Sequence, residues 1–330
     1  MTATIKQIAE VLGVNPSTVS RALSGHAQIA EETRDKVFRV ADLLNYTPNI
    51  WAQSLAGSNT SLIGCLVLEL TNPFYIPMVR AVEDVANREG YIIFLGESRR
   101  DLEQEVCMIE RFRRIRAAGV IITPLMSDLN QLKSLVREGV ALVVVGRNAA
   151  DFDSINIDNR KSGAIAASYF IEKGYQKIAY VQSGEPYNMP EKERLDGYRE
   201  TITESGEELN AIYSVGNNRI TGGEKAGEMW MLDKNHPDAV FCSNDLLAMG
   251  FIQHLIKMGV KIPDDVAVLG HDDIPFVDRF IVPLSTLVFP KYEMGRIAMK
   301  RLLEKLEKGH ISEKPRRIVL DPELVIRQSG

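Results

Sequence analysis

The sequence predicts an α/β protein: an N-terminal three-helix unit in helix-turn-helix layout and a hinge helix, followed by a two-lobed core with two doubly wound parallel sheets. Three observations carry this reading. Helix caps and stops punctuate the first sixty residues. From Leu62 onward, short apolar runs alternate with amphipathic helical segments. Those runs amount to about a dozen strands, more than one open sheet holds comfortably, so the core divides in two.

The first helix starts at Thr4-Ile5-Lys6-Gln7, whose spacing is that of a capping box: the Thr4 hydroxyl and the Gln7 amide satisfy exposed backbone N–H groups reciprocally. Ile5, Ile8, Ala9 and Leu12 follow at helical spacing, and Gly13 supplies the left-handed stop. Asn15 caps a second helix with Pro16 at its first position, where the missing N–H costs nothing. Val19, Ala22 and Leu23 face inward, which leaves Ser17, Thr18, Ser20 and Arg21 at the helix start and on its outer face. A third helix, about Glu31 to Leu44, closes the small core with Val37, Val40, Ala41 and Leu44.

In a helix-turn-helix the start of the second helix meets base edges in the major groove. Small hydroxyls allow close approach there, the helix N-terminus attracts phosphate, and Arg21 can reach phosphate or the O6/N7 edge of guanine. Residues 1–60 hold five basic and five acidic side chains, so a plain three-helix bundle that touches no nucleic acid stays open on these signals. If DNA is bound, affinity must lean on dimerisation and a second contact element. Pro48-Asn49 starts, and Gly57 stops, a helix of barely two turns, too short to stand alone in water. Its Leu55 either wedges between base steps in the minor groove or packs against the core as part of a linker turn.

The runs Thr4-Ile5-Lys6-Gln7-Ile8-Ala9, Gly13-Val14-Asn15-Pro16-Ser17-Thr18-Val19-Ser20-Arg21-Ala22-Leu23, Asn45-Tyr46-Thr47-Pro48-Asn49 and Ala52-Gln53-Ser54-Leu55-Ala56-Gly57 together closely resemble the lactose/galactose repressor family. The likeness continues to about residue 327. It implies an operator-binding homodimer or tetramer with a periplasmic-binding-protein-like core that takes a small-molecule effector. Position by position, it places Ser17, Thr18, Ser20 and Arg21 at major-groove and phosphate contacts, Pro16 at a base-reading position and Leu55 at the minor-groove wedge. Thr4, Asn49 and Ala52 complete the expected DNA-contact set. Many members carry a larger side chain at the Pro16 position and arginine at the Gln53 position, so no relative's operator sequence transfers. The expected domains are 1–47 (helix-turn-helix), 48–60 (hinge helix and linker) and 61–330 (core), with an N-lobe of about 61–158 and 288–320 and a C-lobe of about 159–287 and 321–330.

Within the core, Ile63–Leu68, Tyr91–Leu95, Gly119–Thr123, Ala141–Val145, Lys177–Val181, Ala239–Cys242 and Val266–Leu269 read as the clearest strands, buried on both faces as in parallel sheets. Ligands bind such sheets at the carboxyl ends of the strands. The polar loops there hold Asn72 and Phe74 after the first strand, Arg147 after the fourth, Asn244 after Ala239–Cys242 and Asp272 after Val266–Leu269; Arg194 lies on a later helix. Each also admits a local role: Asn72 and Asn244 as helix caps, Asp272 as a loop acceptor, the arginines as partners of carboxylates. By the resemblance, Arg194, Asn244 and Asp272 match positions that hydrogen-bond a sugar or purine effector, and Asn72, Phe74 and Arg147 match the cleft wall. Gly146 stands where several members place an acid. Arg147, Arg194, Arg219 and Lys291 then give a cationic lining suited to a sugar acid or sugar phosphate.

Composition narrows the classes that remain. Hydrophobic residues at 45% and charged residues at 25% are ordinary for a globular chain, and a net charge of −5 argues against non-specific coating of nucleic acid. Cys65, Cys107 and Cys242 lie far apart and the five histidines show no metal spacing, so no metal or other cofactor is expected. Dinucleotide, P-loop and nucleophile-elbow motifs are missing, which disfavours an enzyme. No run reaches the roughly 18 apolar residues of a membrane span, and the polar start resembles no secretion signal, so a cytoplasmic, membrane-free protein is expected. A transporter's solute-binding protein is the rival reading, and the segment Thr4 to Gly57 speaks against it. Without a leucine-heptad tail after Arg327, a dimer is expected, with the Tyr75–Glu89 and Leu102–Arg116 helices in its interface.

Overall fold

In a computed structural model the described residues are 3–23, 26, 28–46, 60–126, 128–185, 188–309 and 314–330. The chain forms two compact units, Met1–Thr60 and Ser61–Gly330.

The first unit contains α1 (Ile5–Leu12), α2 (Pro16–Leu23) and α3 (Glu31–Leu43). Both halves of the capping box form: Gln7 N donates to Thr4 Oγ1 at 3.4 Å and Thr4 N to Gln7 Oε1 at 2.8 Å. Gly13 ends α1 at φ 64°, and Asn15 Oδ1 accepts from Ser17 N at 2.9 Å to start α2. Ile8, Ala9, Val19, Ala22, Val37 and Ala41 are the buried centre. Leu44, expected to close this core, is exposed because α3 ends before it; Tyr46 packs there instead. The expected hinge helix, with Asn49, Ala52 and Leu55, lies outside the described residues.

The second unit holds two six-stranded sheets. One runs β11-β5-β4-β3-β1-β2, all parallel, built from β1 (Leu62–Val67), β2 (Ile92–Glu97), β3 (Gly119–Ile122), β4 (Ala141–Val145), β5 (Asp153–Ile157) and β11 (Arg317–Leu320). The other runs β12-β10-β9-β8-β6-β7, from β6 (Ile178–Gln182), β7 (Leu209–Ser214), β8 (Ala239–Cys242), β9 (Ala267–His271), β10 (Ser285–Val288) and β12 (Glu323–Val325), with only β12 antiparallel to its neighbour. Helices α4 (Tyr75–Arg88) and α11 (Lys291–Glu307) cover one face of the first sheet, and α5 (Leu102–Arg114) and α6 (Leu132–Arg137) the other. On the second sheet, α7 (Asn159–Glu172) and α8 (Met189–Glu204) cover one face, α9 (Ile220–Leu232) and α10 (Asp245–Lys257) the other. The chain crosses between lobes after β5, β10 and β11.

Besides β7, β11 and β12, which are only partly buried, β5 and β2 depart from the apolar expectation. β5 is wholly buried yet polar, because Asp153 is met by Lys305 Nζ at 2.6 Å, Arg316 N at 2.7 Å and Arg301 Nε at 3.2 Å. β2 lies at the sheet edge and leaves Ile92, Phe94 and Leu95 exposed.

Candidate functional site

The carboxyl ends of the two sheets face each other across a cleft of about 800 Å³, open mouth included. Asn72, Phe74, Arg147, Arg194, Asn244 and Asp272 all line it. Their local bonds explain how each is held. Asn72 Oδ1 accepts from Phe74 N at 3.0 Å, an Asx turn that sets the Phe74 ring edge-on to Tyr75, 4.8 Å between centroids. Asn244 caps α10 by accepting from Leu247 N at 2.8 Å. Asn244 is thus a helix cap, whereas Asn72 holds the turn before α4 and α4 begins at Phe74 without a side-chain cap; both act from the cleft wall.

The charged residues are fixed just as firmly. Arg147 Nη1 donates to Met126 O at 2.6 Å, and burial lowers the Arg147 pKa against the pull of Glu193 and Glu105. Arg194 Nη1 donates to Asn159 Oδ1 at 2.6 Å; the residue is only 8% exposed and its Nε has no hydrogen-bond partner among the described residues. Asp272 Oδ1 pairs with His271 Nδ1 at 2.9 Å. Burial, helped by Arg194, brings the His271 pKa down to about 4, so the ring is neutral at pH 7.

Beneath the lining, three buried carboxylates pin the strand-end loops. Glu105 on α5 accepts from Leu125 N at 2.6 Å and Met126 N at 3.1 Å, which aims the Met126 carbonyl at Arg147. Glu191 on α8 gathers Ser183 N at 2.7 Å, Ser183 Oγ at 2.6 Å and Ser243 Oγ at 2.5 Å, tying the loop after β6 to the loop after β8. Asp245 accepts from Thr286 Oγ1 at 2.6 Å and Ile274 N at 2.8 Å.

Two expected cations are placed elsewhere. Lys291 is buried with its ammonium on the backbone carbonyls of Asp272 and Asp273, because α11 begins directly behind that loop. Arg219 is 62% exposed at its side chain and pairs with Glu69 at 2.7 Å. Neither lines the cleft. Arg100, Asn159 and Asn218, which sequence reasoning passed over, do. The signal for Arg100 was its place after a strand end, obscured by the positive-φ turn Arg99-Arg100.

On the first unit, Pro16, Ser17 and Arg21 are exposed along α2, with Thr18 and Ser20 half-buried. Thr4 is exposed at the start of α1. The N-terminus of α2 thus presents small polar groups with a cation one turn on, and α1 and α3 close its rear.

Residues 4–49 match the family of bacterial regulatory proteins, lacI family, and residues 167–330 match a periplasmic binding protein-like domain. The HTH-type transcriptional repressor PurR of Photobacterium profundum is 32% identical over 335 residues, 99% of this chain and 98% of that protein. The chain belongs to the lacI family. It is therefore a DNA-binding transcription regulator under the control of a small-molecule effector, and not an enzyme. Among solved structures, the transcriptional regulator CelR in complex with cellobiose is 27% identical with a TM-score of 0.74, covering 99% of this chain and 100% of that one. The lac repressor dimer bound to operator and the anti-inducer ONPF has a TM-score of 0.86 at 24% identity, covering 100% and 99%, a likeness of fold. Among the described residues of this lacI-family chain, no helix is long and apolar enough to cross a membrane, and no acidic, histidine and cysteine groups cluster as metal ligands.

Proposed function

We propose that this lacI-family regulator is a cytoplasmic repressor that grips a two-fold operator as a homodimer and changes its grip when a sugar acid or sugar phosphate enters the interlobe cleft. The observation that carries the effector class is Arg194: a guanidinium more than nine-tenths buried, its Nε donor unused among the described residues, lining the same cleft as the desolvated Arg147. A carboxylate or phosphate restores the solvation that burial removed and accepts in the bidentate geometry a guanidinium offers. In this reading Asn72, Asn159, Asn244 and Asp272, which line the cleft, bond ring hydroxyls, and Phe74 covers an apolar ring face.

Operator contact falls to Thr4, Pro16, Ser17, Thr18, Ser20 and Arg21 in the first unit, with Asn49, Ala52 and Leu55 as the hinge contacts. Effector binding shifts the balance between two lobe angles, and that balance sets whether paired hinges form on DNA. The self-association face proposed is the β2 edge with its flanking helices, where Ile76, Ile92, Phe94, Leu95 and Val106 are exposed.

Calorimetry over neutral sugars, sugar acids, sugar phosphates and purines tests the effector class. Micromolar binding by an acid or phosphate, lost in Arg194→Gln, is expected. Tight binding of a neutral sugar such as cellobiose, with no response to its acid, refutes the anionic reading and leaves the regulator assignment untouched.

A further inference from the structure

Four charged side chains meet across the cleft mouth, and of these only Arg100 also lines the cleft. Glu69 and Arg100 follow β1 and β2 in one lobe; Glu185 and Arg219 follow β6 and β7 in the other. Arg100 Nη1 donates to Glu185 Oε2 at 2.5 Å, and Arg219 Nη2 lies 2.7 Å from Glu69 Oε1, so two ion pairs cross in opposite senses. Arg100 Nε lies 3.9 Å from Glu69 Oε2, which joins the pairs into one lattice. With the Asn218 amide turned to place its oxygen toward the guanidinium, that oxygen accepts from Arg100 Nε at 3.1 Å and from Nη2, adding a charge-assisted bond across the same gap.

The geometry points to an ionic latch, Glu69-Arg100-Glu185-Arg219, that holds the two lobes shut through the protein's own charges. Its position gives it leverage. All three crossovers leave from β5, β10 and β11, at one end of the sheets, whereas β1-β2 and β6-β7 form the other end. A rotation about the crossovers parts the lobes most where the latch sits. Its inner members are shielded, with side-chain exposures of 10% for Glu69, 15% for Arg100 and 21% for Glu185. Surface pairs of long side chains in water contribute little, while partly buried, shared pairs are screened less and cost more to break. Because Glu69 and Glu185 already meet the charge of Arg100, recognition of an anion inside the cleft falls to Arg147 and Arg194. The latch stands whether the effector is charged or neutral, so its failure is separable from failure of the effector reading.

Hydrogen–deuterium exchange of the full-length, ligand-free protein tests it. The amides of Leu125, Met126 and Ser183, held by Glu105 and Glu191 in the strand-end loops beneath the lining, serve as the floor reporters, and those of β3 and β8 in the sheet centres report global unfolding. Glu185→Gln and Arg219→Gln each raise exchange at the floor amides by about tenfold, with β3 and β8 unchanged. In a cycle of Arg100→Gln with Glu185→Gln, the double variant exchanges no more than about twofold faster than either single one, because one cut opens the pair. Floor exchange equal to wild type in both single variants, or effects that simply multiply in the cycle, overturns the latch. Glu185→Gln keeps the shape of the native residue, so the test stands even where the Arg219 variant folds poorly.

Discussion

At the scale of single residues, burial decides what each cleft side chain can do. Arg194 sits where little water reaches it, and Asn159 takes one of its donors while Nε has no partner among the described residues. Arg194→Gln removes the charge and keeps part of the volume; the expected protein binds operator normally and no longer responds to its effector in a reporter assay. His271 is the opposite case, neutral because it is buried among Arg194 and Lys291 despite the pull of Asp272. Its folded pKa of about 4 lies below the unfolded 6.5, so the unfolded chain binds the extra proton between those values. Stability from this residue is complete above pH 6.5 and drains away as pH falls toward 4. Urea titrations at pH 7 and pH 4.5 should show His271→Asn losing less stability than wild type over that interval, by about 1–3 kcal/mol. The comparison isolates the histidine from Asp245, whose raised carboxyl pKa slopes the other way. Arg21, exposed on α2, is the third such test. Arg21→Ala is expected to weaken operator binding by about 1–3 kcal/mol and relax preference at one base pair, read by anisotropy titration against a set of single-base operator variants.

At the scale of elements, the cleft depends on how closely helices can cross. α7 and α8 meet backbone to backbone at Gly163 and Gly197: a Cβ on Gly163 would lie 2.0 Å from the Arg194 carbonyl, and one on Gly197 2.1 Å from the Arg160 carbonyl. The crossing that admits no side chain is therefore the one that positions Arg194. Gly163→Ala is expected to cost about 1–3 kcal/mol in urea unfolding and to weaken effector binding together with it. Neither glycine is visible in a helical pattern, where both read only as weak points. The strands were legible where apolar runs are buried on both faces, as in Ala141–Val145 and Ala239–Cys242. β5 was not, since its Asp153 reads as a loop residue until Lys305, Arg301 and the Arg316 amide, some 150 residues later, are brought beside it. The site divides in the same way. Polar residues directly after strand ends were legible, and Arg100 and Asn218 were not, because their place in the cleft depends on contacts across the lobes. Lys291 misled for a related reason: nothing local shows that the start of α11 turns its ammonium onto the Asp272 and Asp273 carbonyls.

At the scale of the whole molecule, the proposed regulation requires that the lobes have two arrangements and that only one suits a pair of DNA-binding units. The helix-turn-helix unit is neutral in formal charge, so a single copy attracts phosphate weakly, and doubling the contact is the physical remedy. The proposed pairing face has the chemistry for it. Ile92, Phe94 and Leu95 are 46%, 42% and 39% exposed on an edge strand, where apolar side chains and unpaired backbone invite a second copy. Two of the three exposed arginines of the neighbouring α5 do not oppose this, since Arg113 and Arg114 are held by Glu110, with Glu138 a further partner of Arg113. A charge set among those apolar groups must be desolvated on pairing, whereas in the monomer it stays in water. Phe94→Asp is therefore expected to leave the thermal midpoint of the isolated chain within a few degrees of wild type while shifting sedimentation from dimer to monomer at micromolar concentration. Operator affinity should fall by about a hundredfold or more, because each half-site is then bound by an untethered copy. A variant that still sediments as a dimer and retains full operator affinity places the pairing face elsewhere on the core.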